Sequence, residues 1–305
     1  MLTFFSDFFR EPNALWVTIG TTLLGISSGV LGCFAYLRRR GLMGDVLAHA
    51  ALPGICLAFM VTGSKHPIAF MIGAILTGVL ATLIIHWISR YSRIKEDTAL
   101  GLVLSVFFGI GIVFLTKIQH SQNGNQSGLD KFLFGQSASL VKSDILLMAG
   151  IAAIVILLTL LLFKELKLLC FDAHFGATIG LPIRLLDFIL MFLLVITVVN
   201  GLQAAGIVLI TALLITPAAA ARYWTERLDR MIWIAAGIGG LSGILGTIMS
   251  GMVEHLATGP VIVIAVTILF FISLLFAPNR GILHRWYRRY QFQHNPRMKG
   301  GEMVE

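Results

Sequence analysis

The 305-residue sequence predicts an all-α polytopic membrane protein, and three observations carry that reading. Hydrophobic residues make up 57% of the chain and charged residues 12%. An ordinary soluble domain carries about 25% charged residues, roughly twice this share. The apolar residues form repeated runs near the ~20 residues that a helix needs to cross a bilayer core. The basic residues fall between those runs.

Nine such runs can be drawn, at 14–36, 43–62, 67–89, 98–116, 143–163, 183–200, 202–221, 231–252 and 259–277. The first carries Gly25 and Gly29, and the eighth carries Gly239 and Gly243. GxxxG spacing of this kind lets helix backbones approach closely, which is ordinary packing in a membrane bundle. Glu96 and Asp97 are placed to cap the start of the fourth run. Only Asn200 and Gly201 separate the sixth run from the seventh, so eight full spans with a re-entrant or broken helix is the alternative count. Asn200 and Gln203 at that junction could line a pathway or cap a turn.

Placing the N-terminus outside assigns 18 of the 23 basic residues to inner segments. The outer segments then hold Arg10, Lys65, Lys117, Lys131 and Lys142. The positive-inside rule therefore predicts N-out, C-in and an odd number of crossings. Residues 1–280 read as one transmembrane domain, and 281–305 as a basic tail suited to anionic headgroups. The N-terminal stretch does not read as a cleaved signal peptide. Loop 117–142 is polar at first and then apolar enough for an interfacial or re-entrant helix. The inner stretch 164–182 reads as structured. Phe171, Phe175, Ile179 and Leu181 give it an apolar stripe, Asp172 is a candidate N-cap, and Gly180 and Pro182 end the helix. Such a helix suits either a soluble partner or the lipid surface.

Several functions are excluded. The net charge of +8 is spread between apolar runs and not gathered on one face, which argues against nucleic acid. The cysteines Cys33, Cys56 and Cys170 lack disulfide or zinc-ribbon spacing. No G-x-x-x-x-G-K-[ST] occurs, so the chain has no P-loop for ATP, and no HExxH motif appears.

The chemistry concentrates at 38–60. Asp45 and His49 are four residues apart in an apolar helix, which sets a carboxylate and an imidazole on one face. Ionisable groups at such positions are costly and point to function or to a paired neighbour. One oxygen and one nitrogen ligand suit Mn²⁺, Zn²⁺ or Fe²⁺ over Ca²⁺ or Mg²⁺. A plain Asp–His contact that fixes the helix is the competing reading. Two ligands fall short of the usual four to six, so further ligands are required. Cys56, seven residues on, could add a thiolate, but Pro53 and Gly54 intervene and a proline there is expected to kink or break the helix. Glu254 and His255 read as an outer loop pair.

GDVLAHAALPG at 44–54 resembles the GD-x-x-[AS]-HA-x-LPG signature of the manganese/zinc/iron permease family of ABC transporters. EDTALGLVLS at 96–105, LDKFLFGQ at 129–136, FDAHFGATIGLP at 171–182 and GLQAAGIVLITALLITPAAAARYWT at 201–225 resemble further elements of that family, in the same order. The resemblance implies a type II importer-like bundle of two permease subunits, either two copies or a copy with a paralogue. It implies a separate cytoplasmic ATP-binding subunit, an extracytoplasmic metal-binding protein, and no prosthetic group. It places Asp45 and His49 on the metal pathway, with Cys56 and Gln203 as weaker additions. It makes 171–182 a coupling helix, with Phe171, Asp172, Ala173, Phe175 and Gly180 at the ATPase. HAALPG looks closest to manganese-type members. VEHLATGPVIV departs from the family's pattern before the last helix, so no family role is carried to Glu254 or His255. The alternative function is an ion-coupled secondary metal transporter or channel.

Overall fold

A computed structural model describes residues 12–63, 66–120, 142–252, 257–278 and 281–284. The described elements are helices: α1 Pro12–Leu37, α2 Met43–Thr62, α3 Pro67–Tyr91, α4 Glu96–His120, α5 Lys142–Leu161, α6 Phe163–Phe171, α7 Ala173–Thr178, α8 Ile183–Trp224, α9 Leu228–Met252 and α10 Thr258–Phe276. Among the described residues there is no strand, and nine helical stretches are long and apolar enough to cross a membrane. They agree with the nine runs to within a few residues. The readings at 129–136, at Glu254 and His255, and for the tail from 285 lie outside the described residues.

α8 accounts for two of the nine stretches, Ile183–Ala204 and Gly206–Trp224. The break falls at Gly206, not at Asn200–Gly201 as the sequence suggested. Gly206 has φ 74° and ψ 175°, a conformation that is essentially glycine-only. The chain folds back there, since the position a Gly201 side chain would take is occupied by Ile210. Asn200 caps no turn. It is buried in the helix, and its Nδ2 donates to the Met148 carbonyl on α5 at 3.2 Å.

α8 is the hub of the bundle and packs against α1, α2, α3, α5, α9 and α10. α1 lies against α9 at the two GxxxG pairs. A side chain added at Gly25 would collide with the Gly239 carbonyl, and one at Gly239 with the Gly25 carbonyl. The backbones touch, as the small-residue spacing predicted. Thr21 Oγ1 and Thr247 Oγ1 bridge the same two helices at 3.0 Å. On the other side, α2 packs against α3 and α4. α2 is one continuous helix with Pro53 inside it, so the break expected near Pro53 does not occur.

Candidate functional site

α1 ends and α2 begins across a linker of five residues, 38–42. The linker is a tight cap. The Arg40 amide donates to the Ala35 carbonyl at 2.9 Å and the Arg39 amide to the Tyr36 carbonyl at 3.0 Å. Arg39 sits at φ 59°. This is a Schellman motif with arginine at the left-handed position that glycine normally takes. The linker therefore fixes the entry of α2. Gly44 lets that entry pack closely on Leu214 and Thr211 of α8.

Asp45 lies in the first turn of α2, with His49 one turn further. His49 Nε2 stands 3.5 Å from Asp45 Oδ1, an electrostatic contact longer than a good hydrogen bond. The Asp45 side chain is 45% exposed and that of His49 23%. The imidazole stands edge-on to Phe108 of α4, with ring centroids 4.9 Å apart. His49 Nδ1 is buried and has no hydrogen-bond partner. The pair is thus held on one side by an aromatic wall and left incomplete on the other. A buried ring nitrogen without a partner is uncommon, and here it belongs to the imidazole whose other nitrogen faces the half-exposed Asp45 carboxylate.

Cys56 does not join the pair. It faces α4 as His49 does, and its Sγ lies 3.9 Å from the Gly111 carbonyl. It is fully buried, and seven residues of helix set it ~10 Å along the axis. It behaves as a small apolar residue in the core. Gln203 is half-buried one residue before the last residue of the first α8 stretch. No contact links it to Asp45. Among the described residues no group of three or more His, Cys, Asp or Glu could hold a metal ion.

The inner stretch 164–182 is two helices, α6 and α7, with a turn at Asp172 between them. α6 ends at Phe171, and the Asp172 side chain accepts from the Phe175 amide at 2.8 Å, capping α7 as expected. α7 ends in a second Schellman motif, with the Leu181 amide on the Gly176 carbonyl at 3.0 Å and Gly180 at φ 88°. Phe171, Phe175 and Ile179 are all more than half exposed, whereas Leu181 packs on the core. Ala173 is half-buried beside the three. The result is a rigid, capped knuckle that shows a row of large apolar side chains.

The cluster that sequence reasoning missed lies beside the linker. Asp187 Oδ1 accepts from Arg38 Nη2 at 2.7 Å and from Arg40 Nη1 at 3.0 Å. Arg40 Nε pairs with Glu96 at 2.7 Å. Glu96 is the first residue of α4, so it serves this pairing from within the first turn and does not precede the helix as a cap. Cys170 lies close by, its thiol pushed up to about 11 by burial, so it is neutral at pH 7. The arginines were visible only as loop charge, and Asp187 sits in an apolar run with no spacing that ties it to them.

The sequence model described as the ABC 3 transport family matches residues 11–277. The chain belongs to the ABC 3 transport family. It is accordingly a multi-pass membrane protein. A similar relative within the family's range is the manganese transport system membrane protein MntC of Bacillus subtilis, 53% identical over 90% of this chain. The chain spans 63% of the length of that relative. The zinc transport system membrane protein TroC of Treponema pallidum is 42% identical, over 95% of this chain and 96% of its own length. Among solved structures, PsaBC from Streptococcus pneumoniae, in complex with Fab, superposes with a TM-score of 0.81 at 33% identity. That superposition covers 97% of this chain and all of the other. The fold of this ABC 3 chain is thus that of the PsaBC bundle.

Proposed function

We propose that this chain is the metal-conducting permease subunit of an ATP-driven importer, with manganese as the first substrate, zinc next and iron after it. The observation that carries the reading is the Asp45–His49 pair, an oxygen and a nitrogen ligand held on α2 with a ring nitrogen unpartnered. Such a donor set suits a borderline divalent cation. The transport systems named for MntC and TroC carry manganese and zinc, which fits that chemistry.

The pair supplies two ligands, and among the described residues no third His, Cys, Asp or Glu joins them. Water and a second permease copy facing the half-exposed Asp45 complete the coordination. Incomplete coordination is useful in transport, because the ion must leave as readily as it enters. The chain runs N-out, C-in. An extracytoplasmic metal-binding protein delivers the cation from outside, and a cytoplasmic ATP-binding subunit docks on the exposed row of Phe171, Phe175 and Ile179. Closure of that subunit on ATP switches the pathway from outward- to inward-open.

Reconstitution with the ATP-binding subunit tests the reading. Uptake of Mn²⁺, Zn²⁺ and Fe²⁺ is expected to require ATP, with Mn²⁺ transported fastest. Uptake driven by an ion gradient with no ATP-binding subunit would overturn it in favour of a secondary transporter.

A further inference from the structure

We propose that Asp187 is a positioning residue that carries movement of the docking segment to the metal-bearing helix α2, acting through Arg38 and Arg40. The proposal rests on the reading of 171–182 as the ATPase docking segment and names how that segment reaches the Asp45–His49 pair.

Arg38 holds the docking segment on both sides. Its Nη1 donates to the Leu169 carbonyl at 3.1 Å, two residues before Phe171, and its Nη2 donates to Asp187 at 2.7 Å, five residues after Pro182. The segment is therefore bracketed by two attachments to one guanidinium. Asp187 also binds Arg40, two residues along the chain. Between those arginines lies the Schellman cap at Arg39, which leaves the linker no slack. The Met43 amide then donates to the Arg40 carbonyl at 3.1 Å, and the Val46 amide to the Leu42 carbonyl at 3.1 Å. Asp45 lies between those two amides. A shift of the docking segment reaches the first turn of α2 through three hydrogen-bonded steps.

The arrangement has both stiffness and room. The side chains of Arg38, Arg40 and Asp187 are 23%, 13% and 14% exposed, so their ion pairs are poorly screened. Two arginines and two carboxylates balance in charge. Alongside them is a cavity of about 210 Å³ lined by Arg40, Met43, Glu96, Asp187 and Met191. Packed cores shift between discrete arrangements and do not deform smoothly, and the cavity, lined by Met43 at the start of α2, leaves space beside that turn. Glu96 ties the same arginine to α4, whose Phe108 walls His49. Both sides of the metal pair thus answer to Arg40.

The test uses the full complex with its ATP-binding subunit in vesicles and reads metal uptake per ATP hydrolysed. A purely structural role for Asp187 would lower both rates together and leave that ratio unchanged. Asp187→Asn is expected to lower the ratio about tenfold, within the usual range of coupling between sites, with the ATP-binding subunit still copurifying. Asp187→Glu is expected to restore most of it. An unchanged ratio in Asp187→Asn overturns the proposal. If that variant fails to assemble, Glu96→Gln reads the same contacts from a carboxylate that is 41% exposed. A fall of about threefold, the size expected from one partly exposed pair, supports the proposal, and no change overturns it. Phe171→Glu is run in parallel. Loss of the ATP-binding subunit there, together with an unchanged ratio in Asp187→Asn, overturns the relay alone. Retention of the subunit overturns the docking reading and removes the relay's source of motion.

Discussion

Two ionisable clusters lie five residues apart on the chain, and they are built in opposite ways. The Arg38–Arg40–Asp187–Glu96 node is closed. Its ion pairs are 2.7–3.0 Å long, and both arginines share one oxygen of Asp187. The Asp45–His49 pair is open. Its single contact is 3.5 Å, its carboxylate is nearly half exposed, and one ring nitrogen has no partner. Closed clusters hold helices in place, and open ones wait for something to complete them. The contrast fits the proposed roles, structure and transmission for the node and substrate for the pair, although both are built from ionisable side chains.

The largest expected effect separates the two on transport. Asp45→Ala removes one of the two proposed ligands. Losing even an outer-shell partner of a metal costs ~10–100-fold, so uptake should fall by at least that factor. Stability should stay within about 0.5 kcal/mol, because the side chain packs little and holds no tight pair. Uptake assays beside thermal unfolding check both halves. Normal uptake by an assembled complex would remove Asp45 from the pathway.

Next comes the mirror result at the node. Asp187→Ala leaves two arginines facing each other without their shared carboxylate. Breaking a buried pair costs about 3–5 kcal/mol, and the residual exposure here places the loss toward the lower end. A clear drop in unfolding temperature is expected, with metal affinity at the Asp45 pair little changed. If Asp187→Ala is as stable as the parent while Asp45→Ala is not, the assignment of the two clusters is reversed.

How much of this was legible in the sequence follows from range. The nine spans were readable because hydropathy and length are local properties. So was Asp172 as a cap, since its partner Phe175 is three residues away. The Asp45–His49 pair was readable because helical spacing alone sets the two residues side by side. The node was not, because Asp187 stands 149 residues from Arg38 and no local pattern joins them. The break in α8 was misplaced for a related reason. Asn200–Gly201 looks like a turn, but the Asn200 Nδ2 donates to a distant carbonyl on α5, and the backbone turns where only Gly206 can. The expected break at Pro53 does not occur: α2 runs continuously through the proline in a helix packed against α3 and α4.

The smallest effect probes the linker between the clusters. Arg39 and Gly180 occupy the same position in two Schellman caps, at φ 59° and φ 88°. Gly180 adopts it without strain. Arg39 meets a steric cost of about 1–2 kcal/mol, and a glycine in its place would lose about 0.5–1 kcal/mol in unfolded-state entropy. Arg39→Gly should therefore leave stability unchanged or raise it by roughly 0.5–1 kcal/mol, measurable as a small rise in unfolding temperature. Its side chain is exposed and outside the node, so the ion pairs remain. The informative quantity is again uptake per ATP. A stiff linker should transmit as well with glycine capped in the same hydrogen bonds. A variant that is more stable yet less coupled would mean that the strain at Arg39 is itself part of the switch between the closed cluster and the open one.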